Sequence, residues 1–575
     1  MRRPVAFDPN NLNRGKGRRR GKVSVDVDSA SLTGSLTFYN TPNPPDNGYI
    51  IVSDSNTIKG IAAGSAKPVF WTATDANIVS IVNGLPGNNS TFTTADEAFS
   101  YLASSGNYFV ISPKNENIIS DGLVLELDSS NKMSLNGSSG ALWYNLAEGG
   151  ANVVMASANG PSFSTTEEAV YFDGTNDYYY DDSITLPSGT KTVICFIKPT
   201  ATMGLDNYKG LVSWGGRSNA TPSNSLLLSL YTNNSTIYVS SAYWYNDWVP
   251  NLNSVTANKW NMVGIIARQQ TSTNNTTLFR YNSGGYSSST GTSSDYSRNI
   301  NTTSTTFRVG CTDASGRFFN GHIKKVLVYD RELSETEIKQ VYYGAPIVIN
   351  SSLKTVIDAK NPVGELNSTT ISEITGNGND FTTEGTVSLV TDYGGVYKLN
   401  SGRIYRSSVS WYGKMCTSFW VKFIGGVNTG QLWTESYRGS GGCSRIWSSL
   451  NANGQYQVNF WDNSNYAANG VGTISTISST NIADGEWHQV TMQWSNGSGN
   501  QIAGNHLYVD GRKESYTYMI GNDGSYAHWH IGGSTGCLGT YTHTCYIGPV
   551  LQYNNYNLTD AEVLQNYNAY KSRFR

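Results

Sequence analysis

The chain is poor in charged side chains, which make up only 14% of its 575 residues. Soluble domains commonly have about 25%. Aromatic residues reach 12% and glycine occurs 59 times, and Ser, Thr and Asn are abundant throughout. This composition is typical of short strands joined by polar loops, whereas a long helical protein would need more Ala, Leu, Glu and Lys. We therefore predict a mainly β chain.

Cysteines and long apolar runs are also scarce. Six cysteines in 575 residues are too few for a disulfide framework. No stretch of 18 apolar residues is present, so we predict no membrane span and no membrane partner. The basic start of the chain is not followed by the apolar segment of a secretion signal. We therefore expect synthesis in a cytoplasm, followed by retention there or release by lysis.

The net charge of −2 hides an asymmetry between the N-terminus and the rest of the chain. Residues 1–22 hold eight basic side chains and one acidic one, whereas the rest holds 32 basic and 41 acidic. We predict an anchoring arm that contacts a negatively charged partner. Nucleic acid is one option, since phosphate contacts need only Lys and Arg. We favour an acidic groove of a neighbouring protein, because no aromatics are interleaved. The arm's basic residues are Arg2, Arg3, Arg14, Lys16, Arg18, Arg19, Arg20 and Lys22.

The length predicts several domains. Residues 1–30 form the extended basic arm, and residues 31–117 form a small α+β attachment module. Its helix begins near Thr94, because Thr94 and Glu97 have the spacing of a capping box. Its strands are predicted at Tyr49–Val52, Pro68–Trp71, Ile78–Val82 and Tyr108–Ile111.

The rest of the chain contains an internal repeat of about 225 residues, which divides it into 118–347 and 348–575. This period is too long for a solenoid unit and suits duplicated domains. Each copy ends with a strand and a short helix, and Ser334 with Glu337 matches Thr559 with Glu562 as a capping box. Further matching segments are Leu123–Asp128 with Lys354–Asp358, Thr192–Ile197 with Thr417–Phe423, Trp214 with Trp433, Trp260–Val263 with Trp487–Val490, and Phe307–Gly310 with Trp529–Gly532.

Four motifs carry a resemblance to a known superfamily: the W-x-x-V strand, His506–Gly511 (HLYVDG), the F/W-x-[IV]-G strand, and the closing strand with its L-[ST]-x-x-E helix. They resemble the laminin-G-like, concanavalin-A-like superfamily in the form common in bacteriophage and bacterial surface proteins. The resemblance covers roughly residues 120–575 and implies two jelly-roll β-sandwiches, each of two packed antiparallel sheets. The first copy departs from the pattern, because Leu278–Gly284 stands where the L-Y-V-D-G hairpin is expected.

Both ends of the chain resemble parts of phage virion proteins. Gly48–Asp54 and Asn83–Gly87 are similar to leaders of structural proteins from marine and cyanobacterial phages, and Gln565–Phe574 resembles their terminal helices. The resemblance implies a virion component of the neck, tail or head, displayed on the particle exterior. Its partners would be portal, neck, tail or capsid proteins, and we expect it to form a homo-oligomer because such parts have cyclic symmetry.

The same fold supports glycosidases, so an enzyme is an alternative. Retaining hydrolysis needs two carboxyls about 5–5.5 Å apart, which this superfamily usually supplies as E-x-D-x-(x)-E on one strand. The nearest match is Glu126-Leu127-Asp128, and no second glutamate follows it. We interpret Glu126 as a sheet-edge residue and Asp128 as a turn former, and we predict no catalytic site.

We favour sugar binding over catalysis, because sugar rings stack on aromatics while polar groups bind their hydroxyls. One candidate cluster lies in each copy, although alternate residues of a strand face inward and could simply fill the core. The candidates are Tyr243, Trp244, Tyr245 and Trp248, with Asn246 and Asp247 between them, and Tyr456, Phe460, Trp461, Asp462 and Tyr466.

Metal binding is a weaker hypothesis. Asp173, Asn176 and Asp177 could share a Ca²⁺ ion through oxygen ligands, but a turn rich in Asp and Asn looks the same without metal. Zinc is a further alternative for His528, His530, His543 and Cys545. Otherwise we expect no cofactor. A non-viral lectin-like adhesin also remains open as an alternative to the virion protein.

Overall fold

The structure is a computed structural model that describes residues 37–40, 49–54, 57–62, 65–71, 92–94 and 109–112, and 119–574 with gaps. The gaps are 131–133, 136–141, 148–153, 159, 183–188, 202–207, 216–225, 234, 243–251, 269–275, 292–305, 313–316, 365, 377–379, 391–392, 394, 408–413, 425–430, 437–443, 462–472, 495–502, 520–527 and 534–542.

A five-stranded antiparallel sheet lies nearest the N-terminus, with strand order β1-β5-β2-β3-β4. Three of the four strands predicted for the attachment module are confirmed, because they overlap β2, β4 and β5. The fourth, Ile78–Val82, and the helix predicted from Thr94 lie outside the described residues. The strands are β1 (Thr37–Asn40), β2 (Tyr49–Asp54), β3 (Thr57–Ala62), β4 (Ser65–Trp71) and β5 (Phe109–Ser112).

Two eight-stranded antiparallel sheets form what we call the first unit. The central sheet contains β6 (Leu123–Asp128), β9 (Ser162–Ser164), β10 (Ala169–Asp173), β12 (Lys191–Pro199), β17 (Asn261–Ala267), β18 (Thr276–Asn282), β19 (Gly285–Thr290) and β21 (Asn320–Tyr329). The distal sheet contains β7 (Leu142–Tyr144), β8 (Val154–Ala158), β11 (Tyr178–Asp181), β13 (Tyr208–Trp214), β14 (Leu226–Asn233), β15 (Thr236–Ala242), β16 (Leu252–Val255) and β20 (Phe307–Val309).

The second unit is a fifteen-stranded antiparallel arrangement in which the long strand β26 joins both layers, by pairing with β36 and with β35. Its strands are β22 (Leu353–Ile357), β23 (Leu366–Asn367), β24 (Thr370–Ile371), β25 (Phe381–Val390), β26 (Val396–Ser407), β27 (Met415–Phe423), β28 (Gln431–Ser436), β29 (Ser444–Leu450), β30 (Gln455–Trp461), β31 (Thr473–Asn481), β32 (His488–Trp494), β33 (Ala503–Val509), β34 (Arg512–Met519), β35 (His528–Ile531) and β36 (Thr544–Asn554).

Each unit ends in a helix, α1 (Glu335–Tyr343) or α2 (Asp560–Phe574). The predicted capping boxes are confirmed in both. Ser334 Oγ accepts from the Glu337 amide at 3.3 Å, and Glu337 Oε2 accepts from the Ser334 amide at 2.8 Å. The Thr559 and Glu562 pair makes the same two bonds at 3.3 and 2.8 Å. These bonds satisfy backbone donors that the first helical turn leaves unpaired.

The hairpin that departs from the family pattern still forms in the first unit. Val263 on β17 pairs with Arg280, and β18 continues to Asn282 before the turn. In the second unit the matching Val490 pairs with Val509, which is already the last residue before the turn. The first hairpin is therefore two residues longer, and this extension carries Gly285 to the second unit.

The central strands are apolar on both faces, which predicts that both faces are covered. On β12, Val193, Cys195 and Ile197 point into the sandwich of the first unit. Ile194 and Phe196 point the other way, into a second cluster. That cluster also contains Trp420, Tyr508, Leu551 and Tyr553 from the second unit, together with side chains of α1 and α2. The mainly β fold class with jelly-roll sandwiches is thus confirmed.

A continuous apolar core, which we call the inter-unit core, therefore joins the two units. Tyr342 of α1 stacks on Tyr281 with ring centroids 3.6 Å apart. Asn361 Nδ2 donates to the Tyr342 carbonyl at 2.5 Å, and the Val348 amide donates to Asn566 Oδ1 at 2.8 Å. The connecting residues Ala345, Ile347 and Val348 are themselves buried. The two units are thus packed together rather than tethered.

Neither helix has the length and apolar character that a membrane crossing requires, as far as the chain is described.

Candidate functional site

Most of the predicted glycan contacts lie where the chain is not described. This holds for Asp462 and Tyr466 and for the whole cluster of the first copy. Trp461 is the last residue of β30. The basic anchoring residues Arg2 to Lys22 also lie outside the described residues. The glycan-binding role of Tyr243, Trp244, Tyr245 and Trp248 therefore stays a prediction. The anchoring role of the basic arm does so too.

The prediction that Tyr456 contacts a glycan is wrong. Its side chain is 0% exposed and belongs to the core of the second unit. The ring packs edge-on against Phe419, and the hydroxyl donates to Ser448 Oγ. Alternation along β30 turns Tyr456 and Val458 inward. The aromatic pattern therefore reflects core packing at this position.

The predicted calcium ligands form a turn between β10 and β11. Asp177 Oδ2 accepts from the Asp173 amide at 3.0 Å, and Asp173 Oδ1 accepts from the Thr175 and Asn176 amides at 2.7 and 3.4 Å. Burial raises the pKa of Asp177. Across the described part of the chain, no group of three or more His, Cys, Asp or Glu side chains is arranged to hold a metal ion. Turn formation accounts for these residues, and the calcium site stays a prediction.

Glu126 and Asp128 lie on the face of β6 opposite its core residues Leu125 and Leu127, and both are only 6% exposed. Asp128 pairs with Lys325 at 2.8 Å and accepts from the Ser130 amide at 3.1 Å, which confirms its predicted turn role. Burial raises the pKa of Glu126 to about 7; Asp128 adds to this rise, and Lys325 opposes it. The two carboxylates are thus enclosed rather than set in an open cleft.

Two of the three histidines considered for zinc, His530 and His543, have other partners, and the side chain of His528 lies outside the described residues. His530 is 5% exposed and stacks on Tyr405 with ring centroids 5.8 Å apart. Its Nδ1 lies 3.2 Å from Arg403 Nη1. His543 and Cys545 are each 0% exposed, and His543 packs edge-on against Phe423. These contacts place the three side chains in the packing of the second unit.

A row of partly exposed aromatic side chains crosses the distal sheet of the first unit. Tyr208, Tyr231 and Tyr238 occupy directly opposed positions on β13, β14 and β15. The ring centroids of Tyr208 and Tyr231 are 5.0 Å apart, and those of Tyr231 and Tyr238 are 6.3 Å apart. Alternation places their side chains on the face away from the core, because the adjacent Leu230 and Val239 point inward.

The row continues beyond β13 through the chain that follows β20. The exposed guanidinium of Arg317 lies 5.7 Å from the Tyr208 ring centroid. The next residue, Phe318, stacks on Tyr178 at 6.1 Å, and Tyr178 lies 5.8 Å from Tyr180. We call the whole set the tyrosine belt. It consists of Tyr178, Tyr180, Tyr208, Tyr231, Tyr238, Arg317 and Phe318, and its aromatic members are all partly exposed.

Sequence reasoning missed the tyrosine belt. Its members are spread over 140 residues and come together only through strand pairing. One signal was available, because Tyr231 and Tyr238 flank the short Asn233–Thr236 turn of a hairpin. Equal spacing from such a turn puts two residues opposite each other on one face.

One family model matches the chain. Described as the concanavalin A-like lectin/glucanases superfamily (Laminin_G_3), it matches residues 173–339. The chain contains a domain of this superfamily. The matched domain carries the tyrosine belt from Tyr178 to Phe318 and ends within helix α1. No curated protein sequence matches the chain.

Several solved structures are similar to parts of the chain at low sequence identity. The binding domain of Paraclostridial mosquitocidal protein 1 is 17% identical over 38% of this chain, with a TM-score of 0.29, and the match spans 52% of that structure. Domain 4 of AbnA, an extracellular arabinanase from Geobacillus stearothermophilus solved with arabinotriose, is 16% identical over 38% of this chain and 98% of its own length, with a TM-score of 0.29.

A third similar structure is the sialidase of Trypanosoma rangeli. It is 11% identical over 69% of this chain and 59% of its own length, with a TM-score of 0.30.

Proposed function

We propose that this chain is a structural and adhesive component of a tailed-bacteriophage virion. Its basic N-terminal region attaches it to the neck, tail or head, and its two units are displayed outward for particle decoration or host-surface attachment. The second unit is, in this proposal, a second copy of the superfamily domain. The finding that carries the proposal is the lectin-like domain joined to a second β unit by the continuous inter-unit core.

The burial of Glu126 and Asp128 favours a display role over an enzymatic one. A glycosidase needs its two carboxyls open to substrate, whereas Glu126 and Asp128 are enclosed and Asp128 is paired with Lys325. We therefore propose that the chain has no catalytic site of its own. Incubation with host polysaccharide should release no sugar, and reproducible release that Glu126→Gln abolishes would contradict this part of the proposal.

Phage particles from the source provide the test. We expect mass spectrometry of purified particles to find the chain, and cryo-electron microscopy to place residues 1–117 against the particle with both units outside. Deletion of residues 1–30 should remove the protein from particles without unfolding its units. If the chain is absent from particles, the virion role fails, and a free lectin or bacterial adhesin becomes the better account.

A further inference from the structure

The tyrosine belt crosses the distal sheet on the face that turns away from the core. Five neighbouring strands, β15, β14, β13, β20 and β11, lie beneath it. At roughly 4.8 Å per strand spacing, the belt is about 19 Å long. Its rings follow one another at 5.0 to 6.3 Å, apart from the step at which Arg317 intervenes. This is a row of partly exposed aromatic rings suited to an extended ligand.

The fold alone does not require these aromatic residues. Opposed aromatic pairs on neighbouring strands stabilise a sheet, and this would account for single pairs. In the second unit, however, the outward-facing pair nearest the corresponding turn is Ser449 opposite Gln457. The same architecture is therefore built there without tyrosines at these positions.

The backbone at Arg317 supplies a second observation. Its φ is +59°, in the left-handed region that non-glycine residues seldom adopt because it is sterically unfavourable. The Arg317 carbonyl accepts from the Gly210 amide at 3.0 Å, which holds the segment against β13. Among the described residues, no carboxylate forms an ion pair with Arg317, and its guanidinium remains exposed beside Tyr208. An exposed cation is thus fixed within the row of rings.

We propose that the tyrosine belt binds an acidic polysaccharide chain. The apolar faces of successive sugar rings pack against the exposed parts of the tyrosine rings. The sugar carboxylate pairs with Arg317, which offers planar, bidentate donors for such a group. Charge complementarity selects a polyuronate over a neutral glycan. This inference rests on the proposed adhesive function and names the surface and ligand class that serve it.

The full chain can be tested with alginate, a polyuronate, as the probe and dextran as the neutral comparison. We expect immobilised alginate to retain the protein and dextran not to. The double variant Tyr208→Ala, Tyr231→Ala should weaken alginate binding about tenfold or more, because two stacking contacts are lost. Arg317→Gln should weaken alginate binding and remove most of its dependence on salt.

Matched controls separate the belt from general effects. Tyr171→Ala removes a partly exposed tyrosine of the central sheet, and Arg512→Gln removes an exposed arginine of the second unit. Both should bind alginate as the parent does. Circular dichroism and the unfolding midpoint of each variant verify that the sandwiches remain folded.

Three results would overturn the inference. Belt variants could bind alginate as well as the parent, dextran could bind as strongly as alginate, or the double variant could change the oligomeric state in sedimentation instead of polysaccharide binding. The last result would make the belt a protein interface. Particle incorporation is measured separately: belt variants that still enter virions but lose alginate binding support the inference, and normal binding by a chain absent from particles would overturn only the virion role.

Discussion

His488 and Asp510 form a partly buried ion pair at the start of β32, with Nδ1 and Oδ2 2.9 Å apart. Nε2 of the same ring lies 3.1 Å from Asp484 Oδ1. The first unit has Asn261 where the second has His488, and Asn261 Oδ1 accepts from Asn282 Nδ2 at 2.8 Å. The matching residues near the hairpin turn thus form a neutral amide–amide hydrogen bond in the first unit and charged pairs in the second unit.

This difference predicts that the stability of the second unit, through His488, depends on pH. Burial opposes protonation of His488, but hydrogen bonds to Asp484 and Asp510 outweigh it and raise the pKa to about 9 from an ordinary value of 6.5. A raised pKa means that the stabilisation is complete below pH 6.5 and is lost as the pH rises through about 9.

We expect His488→Asn to remove that dependence. Denaturant unfolding of the parent should lose about 2 kcal/mol of stability between those pH values, allowing for the partly exposed Asp484, and the variant should not. His506→Asn is the control, because the pKa of His506 is lowered by burial and its titration is over before this range. A parent with no change in unfolding free energy across the range would contradict the prediction.

Glu126 predicts that the stability of the first unit also decreases with rising pH, over a lower pH range than for His488. Burial raises the pKa of Glu126 from 4.5 to about 7, so the folded state holds this proton more tightly than the unfolded state. Its contribution is complete below about pH 4.5 and is lost, by up to about 3 kcal/mol, as the pH rises through 7. Glu126→Gln should be more stable than the parent above pH 7.

Asp128→Asn provides the contrast. Burial would raise the pKa of Asp128, but Lys325 holds it below its ordinary value. A lowered pKa contributes stability above the unfolded value and loses it as the pH falls. Asp128→Asn should therefore destabilise the protein at neutral pH, where Glu126→Gln stabilises it. Equal effects of the two variants on the unfolding midpoint would show that the carboxylates are not in these different environments.

The contact between Gly285 and Gly376 tests the packing of the two units. A Cβ at Gly376 would overlap the backbone N and Cα of Gly285, and the φ of Gly376 is +84°. Gly376→Ala should destabilise the chain by about 3 kcal/mol or more, because the two hairpins must separate. Unfolding measurements and protease sensitivity near residue 347 report this loss.

Gly344→Ala is the matched control for that variant. Its φ is +67°, but a Cβ there would meet nothing within 4 Å. Its cost should be about 1 kcal/mol, from backbone strain alone. Similar losses for both variants would mean that the units do not touch at Gly376 in solution.

A buried ion pair connects the C-terminal end of α2 to the residues that follow β22. Arg573 Nη1 lies 2.7 Å from Asp358 Oδ1, and Nε donates to the Tyr393 carbonyl at 2.7 Å. Removing one partner of a buried pair leaves an uncompensated charge and costs about 3–5 kcal/mol. We expect this loss in thermal or denaturant unfolding of Arg573→Gln. The exposed Lys571→Gln, two residues earlier, should change the unfolding free energy by less than about 0.5 kcal/mol.

Local signals in the sequence predicted much of the fold. The capping boxes at Ser334 and Thr559 and the strands on either side of Trp260 and Trp487 could be located because their spacing depends only on neighbouring residues. Thr192–Ile197 and Thr417–Phe423 fall within β12 and β27 for the same reason.

The candidate site was harder to predict, because it depends on strand pairing across long stretches of chain. Tyr456 and Tyr231 are both strand tyrosines in the sequence, yet one is core and the other is partly exposed. Their difference lies in which face of the sheet each one joins, and a shift of one residue in register reverses that choice. The packing of the two units against each other could not be located from the sequence either. The sequence did contain one indication, because β12 is apolar on both faces and its outer face must therefore be covered.

The connection Ala345–Val348, in which Ala345, Ile347 and Val348 are buried, has a consequence for how this protein can be divided. Cutting the chain there would uncover Phe196, Trp420 and the other side chains of the inter-unit core at once. Apolar patches of that kind drive aggregation. Half-length fragments should therefore be insoluble when expressed singly, and the two halves should regain solubility only when produced together in one cell.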